Sequence, residues 1–349
     1  MRPITITFAF LLVLAALFSS CDRPLLDESP DVTAAANFEM LWEDLDRHYS
    51  SFAINGLDWD SIYTAYRPRA EDSHTEAATW QLMSELLEAL DDEHVKLFDD
   101  ANGRFFGSGL AGAEAAEAAF SLELIAGQYL DVETLGAPNN YVLYGKSQDG
   151  KVGYIYIAAL LDEDPSVMQL VLDKLGGVQA IIVDVRNCVG GYDKLGARYA
   201  AYFSDGVHHL YDARFRNGPE HANLSEPEAY YSHSPRASGF SGPVILLTDR
   251  NTVSEGEIFT LNMRSFAHVV HMGTTTAGAQ SLVSPARFLP NGWRYEYSIQ
   301  LITLPDGSSY EGAGIPPQLP VANTAADIES GKDVVLEAAR EYLREEFGI

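Results

Sequence analysis

The chain has 349 residues, of which 46% are hydrophobic and 21% are charged, and this composition is that of a globular protein rather than a disordered one. Its formal net charge is -27 at pH 7, with no cluster of Lys and Arg to offset it. An acidic field of this kind repels phosphate backbones, which argues against a nucleic-acid partner and favours solubility.

The first twenty residues have the pattern of an export signal. Arg2 gives a basic start, and residues 6–18 form an almost unbroken apolar run that leads into Ser-Ser-Cys at Cys21. The run is too short and too early for a membrane span. A Cys directly after small residues resembles a lipobox, so we expect removal of residues 1–20 and a lipid on Cys21. An ordinary signal peptide with an incidental Cys is the alternative.

A lipidated Cys21 predicts an exported lipoprotein of the cell envelope, which faces the periplasm or the cell surface and is held at the membrane by its lipid alone. Cys188 is the only other Cys, so no intramolecular disulfide is expected. Residues 21–34 are polar and acidic and include prolines, as is typical of a tether.

The region after the tether predicts a small helical unit over residues 35–100. Apolar residues recur at helical spacing in three stretches, 35–49, 59–66 and 76–90. Residues 101–150 are a connecting segment with possible strands at 120–125 and 141–144. This segment is short for a peptide-binding module of the PDZ type.

Residues 151–349 have the alternating strand and helix pattern of an α/β domain, and they end in a helix. Buried-type apolar strands alternate with helical patterns, which indicates a largely parallel sheet covered by helices. We expect strands at 152–157, 180–185, 244–247, 269–272 and 295–304, and helices at 165–175, 194–203, 255–266 and 332–346.

The segment from Thr248 to Phe259 is the first candidate for chemistry. A buried strand ends here, a short polar turn follows, and a helix begins at Ser254. A hydroxyl at this place lies at the edge of the sheet, beside helix-start N–H groups that can bind a developing oxyanion. Ser254 with Glu257 three residues later also fits a capping box, which is the structural alternative.

A second candidate follows the strand at 181–185. Asp184-Val185-Arg186-Asn187-Cys188-Val189-Gly190-Gly191 places paired glycines at the carboxyl end of a strand. Glycines let a backbone N–H approach a ligand closely, and α/β folds place their sites at this edge. Taken alone, such a pair is often only a turn.

Together the segments resemble the C-terminal-processing (tail-specific) serine peptidase family. The likeness extends to Gly273-Thr274-Thr275-Thr276-Ala277-Gly278 and to Tyr310-Glu311-Gly312-Ala313-Gly314-Ile315-Pro316-Pro317, and it covers roughly residues 80–345 in the family's order. The resemblance implies an α/β fold with a crotonase-like core of ββα units, and a peptidase that acts on proteins or peptides without a cofactor.

Two departures favour the tricorn-like branch of this family. Tail-specific members use a Ser-Lys dyad, but the Lys position is Ala279 here, and no Lys occurs between Lys194 and Lys332. The tricorn-like branch takes its base from a His in a Leu-x-Asp-x-His segment, which matches residues 90–94 and gives His94 that role. In tricorn a Ser precedes this His, whereas Glu93 stands here.

The resemblance then implies a Ser-His-acid mechanism. Ser254 is the expected nucleophile, His94 the general base and Glu311 the acid that orients the imidazole. The N–H groups of Gly190 and Glu255 are expected to bind the oxyanion, and Gly191 and Glu255 to contact the substrate. An acidic residue directly after the nucleophile implies a preference for Lys or Arg at P1. Seen alone, His94 could be a helix C-terminal cation and Glu311 a surface charge.

Cys188 and Val189 stand where the family usually has Asn and Gly, so the oxyanion loop is expected to differ in shape. Cys188 itself is read as a small buried hydrophobe rather than a catalytic thiol. The scattered His residues predict no metal site. A non-catalytic module that binds a hydrophobic ligand or a peptide on the same fold is the alternative function, and acyl-CoA chemistry conflicts with the export signal. Oligomeric state is left open.

Overall fold

The structure is a computed structural model that describes residues 31–162, 164 and 166–349. The predicted signal sequence, Cys21 and the tether up to residue 30 lie outside the described residues. None of the helices among the described residues is long and apolar enough to cross a membrane.

Four helices follow the tether, and their N-termini are set by side-chain caps. Thr33, Asp58 and Thr75 each accept a hydrogen bond from a backbone N–H of the first helical turn, which stabilises the helix start. The three longer helices match the predicted ones. In chain order the helices are α1 (Ala34–His48), α2 (Phe52–Asn55), α3 (Trp59–Glu71), α4 (Glu76–Glu88), α5 (Ala113–Ala118), α6 (Leu122–Leu124), α7 (Ser166–Lys174), α8 (Leu195–Ala200), α9 (Glu255–Arg264), α10 (Ala325–Glu329) and α11 (Val334–Phe347).

The strands form three sheets in the described residues. They are β1 (Lys96–Asp99), β2 (Arg104–Gly107), β3 (Val142–Lys146), β4 (Val152–Ile157), β5 (Ala180–Asp184), β6 (His209–Phe215), β7 (Glu228–Tyr231), β8 (Val244–Thr248), β9 (Val269–Gly273), β10 (Arg287–Phe288), β11 (Arg294–Glu296), β12 (Gln300–Thr303) and β13 (Leu319–Pro320).

The central sheet has six strands in the order β13-β9-β8-β5-β4-β3. All neighbouring pairs are parallel except β3 with β4. Every residue of β4, β5 and β8 is buried, as expected for strands covered on both faces. The predicted α/β class is therefore confirmed. The strands β5 and β8 lie side by side, so the loops that follow them meet at one edge of the sheet.

The helical unit shares its core with a distant part of the chain. A second sheet, in the order β10-β11-β1-β2, joins β1 to β11. Leu289, Trp293, Tyr295 and Tyr297 are buried against the apolar faces of α1 and α4. The residues that precede β1 are thereby fixed relative to the central domain.

Two predicted strands differ from the structure. The predicted strand at 120–125 is instead a helix start: Ser121 caps α6, and a π-helical turn over Ile125–Tyr129 follows, with Ile125 and Tyr129 buried against the central sheet. Residues 295–304 form two strands instead of one, because β11 and β12 belong to different sheets. Between the two strands the Tyr297 carbonyl accepts from the Ser284 N–H at 2.8 Å. The chain then continues into β12, which pairs with β6.

Candidate active site

Ser254 stands in a strained backbone conformation at the start of α9. Its φ is 58° and its ψ is −124°, a region that costs energy for a residue with a side chain. The Ser254 side chain makes no capping hydrogen bond, and its N–H donates to the Ala279 carbonyl at 2.9 Å. The capping-box interpretation is therefore wrong. A strained strand-to-helix turn of this kind exposes a hydroxyl above the sheet edge.

Glu257 bonds the loop after β9 instead of forming a capping box. It is fully buried and accepts from the Thr276 hydroxyl at 2.6 Å and from the N–H groups of Gly278 and Ala279 at 2.9 and 2.7 Å. Burial raises the pKa of Glu257 to about 7. These bonds tie the Gly-rich loop after β9 to α9 and so hold Ala279 beside Ser254.

The paired glycines lie close to Ser254. Gly190 has a φ of +81°, and a Cβ atom added to it would lie 2.7 Å from the Cβ of Ser254 and 3.1 Å from the Glu255 nitrogen. A Cβ atom on Gly191 would lie 2.0 Å from the Leu160 carbonyl oxygen. Only glycine fits at either position. No hydrogen bond among the described residues uses the Glu255 N–H, so that donor is available at the helix start.

A buried network of charged side chains holds the loop that follows β5. Arg186 lies between Asp184 and Asp333, with nitrogen–oxygen distances of 2.6 and 2.9 Å, and all three side chains are buried. The Asp249 carboxylate accepts from the N–H of Asn187 at 3.0 Å and of Asn251 at 2.9 Å. The loops after β5 and β8 are thus linked, which fixes Gly190 relative to Ser254.

Cys188 and Val189 point in opposite directions. Cys188 is fully buried beneath the start of α9, and burial raises the pKa of its thiol to about 12. The backbone carbonyl of Cys188 accepts from the Val253 N–H at 3.0 Å, which links the loop after β5 to the turn before α9. Val189 is 68% exposed. The two departures from the family pattern therefore place a packing residue inside and an apolar surface outside.

His94 is buried in a tight turn that leads into β1. It lies beyond the end of α4 and is 3% exposed, which is not the setting of a helix C-terminal cation. The Asp92 carboxylate accepts from the His94 N–H at 2.9 Å and shapes the turn. Burial lowers the pKa of the His94 imidazole to about 4, although the charge on Asp92 opposes this.

Glu311 is buried next to His94 rather than on the surface. One carboxylate oxygen accepts from the N–H groups of Gln280 and Ser281 at 3.0 and 3.1 Å. Burial raises the pKa of Glu311 well above its usual range, and the charges on Asp92 and Glu257 raise it further. Gln280 and Ser281 directly follow Ala279, whose carbonyl accepts from the Ser254 N–H.

Asp92, His94 and Glu311 form one cluster. Each offers an atom within 4.8 Å of the others, and His94 Nδ1, Asp92 Oδ2 and Glu311 Oε1 are buried without a hydrogen-bond partner among the described residues. These three side chains could also ligate a metal ion, since a His and two carboxylates converge. A cation here would occupy one ring nitrogen of His94.

The structure thus brings the predicted residues together in two groups. Ser254, Gly190 and Glu255 form the first, and His94 and Glu311 the second, with residues 279–281 bonded to both groups. No hydrogen bond joins His94 to Ser254 in the described part of the chain. Asp92 and Tyr49 were missed. Asp92 was visible as the Asp two positions before the His, whereas Tyr49, whose pKa is raised by burial and then by the charge of Asp92, had no signal in the sequence.

One cleft is lined by Ser254, and a second is lined by the preceding residue, Val253. The smaller, about 150 Å³, is lined by Ser254 itself, Gly191 and Glu255, together with Asp193, Tyr211 and Gln280. Glu255 is 6% exposed, and its carboxyl oxygen accepts from the Gly196 N–H at 2.8 Å. Burial raises the pKa of Glu255 to about 8. The larger cleft, about 640 Å³, lies beside Val253, Val189 and Glu93.

Comparison with known proteins finds two matching family models. Residues 151–321 match the model of peptidase family S41, and residues 30–88 match the tricorn protease C1 domain. A candidate peptidase from Parabacteroides merdae is 25% identical, with a TM-score of 0.78 over 90% of this chain and 97% of that one.

Two further solved structures share the fold at lower identity. Mature CPAF in complex with lactacystin is 14% identical, with a TM-score of 0.62 over 90% of this chain and 97% of that chain. The tricorn protease is 16% identical, with a TM-score of 0.54 over 90% of this chain and 37% of that chain. The family models and the fold lead to one conclusion: residues 151–321 of this chain form a domain of peptidase family S41, the C-terminal-processing peptidases.

Proposed function

We propose that this protein is a serine peptidase that cleaves peptide bonds through an acyl-enzyme on Ser254. The observation that carries the proposal is the strained Ser254, uncapped at a helix start and in contact with Gly190. Strain of this kind costs of order 1–3 kcal/mol and persists where it serves a site. A module that only binds ligands has no need of it, so the non-catalytic alternative is not favoured.

The first half of the reaction forms the ester. The Ser254 hydroxyl oxygen attacks the peptide carbonyl carbon, and His94 accepts the hydroxyl proton. The carbonyl oxygen becomes an oxyanion, which the N–H groups of Gly190 and Glu255 bind. The carbon–nitrogen bond then breaks, and His94 gives its proton to the leaving amine. Glu311, which offers an atom within 4.8 Å of the ring, is the group expected to bond the ring and stabilise its charged form during the reaction.

The second half returns the free enzyme. Water attacks the ester carbonyl carbon while His94 takes a proton from it. The bond to Ser254 breaks, His94 protonates the serine oxygen, and the new carboxylic acid leaves. His94 is suited to both steps because it is neutral when the cycle begins.

Activity-based labelling tests the nucleophile directly. A fluorophosphonate should modify Ser254, and peptide mapping of the product identifies the residue. The Ser254→Ala variant should take up no label, while Ser281→Ala, in the same cleft, should keep it. Label on any other residue, or equal labelling of Ser254→Ala, contradicts the proposal.

We also propose the chain organisation and location that the sequence predicts. Residues 1–20 act as the signal, lipidated Cys21 and residues 21–34 as the tether, and residues 35–100, 101–150 and 151–349 as helical unit, connecting segment and peptidase core. Cleavage leaves an exported lipoprotein anchored by Cys21. Mass spectrometry of the mature N-terminus should find a diacylated Cys21, and Cys21→Ser should release the protein from membranes. An unmodified Cys21 contradicts the anchor.

A further inference from the structure

The buried cluster of Asp92, His94 and Glu311 contains one carboxylate more than the proposed reaction needs. A Ser-His-acid mechanism uses a single acid to hold the imidazole, and here two converge on the same ring. In the part of the chain that the structure describes, neither carboxylate forms an ion pair with a Lys or an Arg. Buried charges in proteins are paired or coordinate metal ions, so a cation would balance this cluster.

The converging atoms are metal ligands by type, and they make no other bond. Asp92 Oδ2, His94 Nδ1 and Glu311 Oε1 are each buried without a hydrogen-bond partner among the described residues. These residues are 7%, 3% and 4% exposed, so bulk water does not satisfy the three atoms. The other oxygen of each carboxylate is already bonded to backbone N–H groups. Both carboxylates are therefore held in place with one oxygen left for a ligand.

The spacing of the cluster fits a small transition-metal ion. One ligand atom from each residue lies within 4.8 Å of the other two. Zinc holds His nitrogen and carboxylate oxygen at about 2.0–2.2 Å, so each atom needs to move inward by less than about 1 Å. An imidazole ligand favours zinc over magnesium and calcium, which prefer sites built from oxygen. Sequence spacing does not indicate this group, because Glu311 lies in a loop far along the chain from Asp92 and His94.

The cluster lies behind the wall of the smaller cleft. Gln280 and Ser281 line that cleft together with Ser254, and their N–H groups donate to Glu311. The side-chain amide of Gln280 makes no hydrogen bond within the described residues, so no bond fixes it in this wall. An ion that enters the cleft beside Ser254 therefore reaches the cluster past Gln280.

We propose that Asp92, His94 and Glu311 bind a Zn²⁺ ion, and that the bound ion reversibly inhibits the peptidase. The inhibition rests on the proposed function, in which His94 accepts the proton of Ser254. Neutral imidazole has one nitrogen that can accept a proton, since the other carries the N–H. A metal ion on that acceptor nitrogen leaves the ring without a basic site, whichever of the two nitrogens it is. Bound zinc thus prevents proton transfer and leaves Ser254 and the oxyanion donors unchanged.

Direct measurement of zinc binding tests the site without reference to activity. The purified, untagged full-length protein competes with a chromogenic chelator for Zn²⁺, and one ion should bind per chain. Glu311→Gln and Asp92→Asn keep the oxygen that accepts from the backbone N–H groups. Each should weaken binding by at least about 100-fold, because loss of an outer partner alone costs about 10- to 100-fold. Ser254→Ala should bind zinc as tightly as the parent protein, and Mg²⁺ should not compete.

A surface site formed by two neighbouring His residues is the rival location. His208 pairs with Asp205 and His209 with Asp212, and all four side chains are partly exposed. The double variant His208→Ala, His209→Ala removes both imidazoles. It should leave tight zinc binding and peptide hydrolysis unchanged, whereas loss of the tight site in this variant overturns the proposal.

Hydrolysis of a peptide at known free Zn²⁺ concentrations tests the inhibition. The rate should fall by half at the Kd found by competition, and EDTA should restore it fully. Unimpaired hydrolysis by the zinc-loaded protein overturns the inhibitory role.

The outcomes separate the metal site from the peptidase. A parent protein that binds no zinc overturns the site, as does tight binding that survives in Glu311→Gln and Asp92→Asn. Thermal unfolding confirms that both variants are folded. Zinc binding through these residues in a protein with no Ser254-dependent hydrolysis overturns the peptidase and its inhibition, and leaves the metal site in place.

Discussion

Gly190 and Ser254 are in contact so close that a Cβ atom on Gly190 would lie 2.7 Å from the Cβ of Ser254. The contact joins the loop after β5 to the loop after β8, two segments that the sequence marks separately. It also explains why Gly190, the first glycine of the pair, has no side chain: its backbone lies directly against Ser254.

Gly190→Ala should therefore abolish most activity. The added methyl group displaces Ser254 or the Gly190 N–H, and loss of one oxyanion donor costs about 100- to 1,000-fold in kcat. Gly150→Ala is the matched control, because Gly150 has a similar φ of +70° with nothing within 4 Å of the added atom. Both variants carry the backbone strain, so circular dichroism and peptide hydrolysis together isolate the contact. Full activity in Gly190→Ala contradicts the oxyanion assignment.

Ser254→Ala and His94→Ala should each lower kcat by at least about 10⁴-fold, and the double variant should lose little more. Residues that act as one unit are strongly non-additive. Independent losses that multiply in the double variant would show that His94 and Ser254 do not work together. Steady-state kinetics on one peptide substrate is sufficient, with thermal unfolding to confirm that the variants are folded.

The activity should persist to unusually low pH. Burial lowers the pKa of His94 to about 4, and a general base works only when neutral, so the acid limb of kcat/KM should lie near pH 4 rather than near about 6.5. The charge of Asp92 acts in the opposite direction, because it stabilises the protonated ring and raises the pKa of His94.

Asp92→Asn should thus move the acid limb to still lower pH and reduce the plateau rate. The Asn side chain keeps the oxygen that accepts from the His94 N–H, so the turn is retained. Asp99→Asn, a buried carboxylate on β1 that pairs with Arg104 away from the site, is the control and should leave the limb in place. A limb near pH 6.5 in the parent protein would contradict this account of His94.

Cys188 should resist alkylation in the folded protein. Burial raises the pKa of its thiol to about 12, and only the thiolate reacts. Iodoacetamide at about pH 8 should label Cys188 only after denaturation. Rapid labelling of the native protein, with loss of activity, would instead indicate a reactive thiol beside Ser254. Cys188→Ala should remain active, though less stable because it leaves a void beneath Gly256.

The candidate site residues could be proposed from the sequence because each lies at a break in a regular pattern. Strands that are buried throughout end at Asp184 and Thr248, and Gly190 and Ser254 follow these ends, so their meeting follows from sheet topology. The position of His94 depends on something less local. It requires β1 to pair with β11, across most of the chain, and alternation of polar and apolar residues carries no information on such partners.

Long-range pairing also explains the errors. Residues 295–304 read as one strand because apolar alternation continues through Tyr297, and only the change of partner strand divides them. The role of Glu257 was hidden for a similar reason. Its spacing from Ser254 fits a local cap, whereas its bonds run to Thr276 and to the loop that follows. The local spacing fits a capping box, but in the structure Glu257 bonds residues about twenty positions later in the chain.

The expected preference for basic P1 residues should depend on pH, because Glu255 is buried in the smaller cleft, which Ser254 also lines. Burial raises the pKa of Glu255 to about 8, so its carboxyl group is neutral below that pH and charged above it. A charged carboxylate attracts a guanidinium, while a neutral one gives only an ordinary hydrogen bond. The ratio of kcat/KM for a peptide with Arg at P1 to that for its neutral isostere citrulline should therefore be small near about pH 6.5 and rise severalfold through about pH 8.

Glu255→Gln should give a flat ratio, because its amide cannot ionise and still offers an oxygen to the Gly196 N–H. Asp193→Asn, at an exposed carboxylate in the same cleft, is the control for general surface charge and should keep the rise. A ratio that is flat in the parent protein, or that rises equally in Glu255→Gln, assigns P1 selection to another residue.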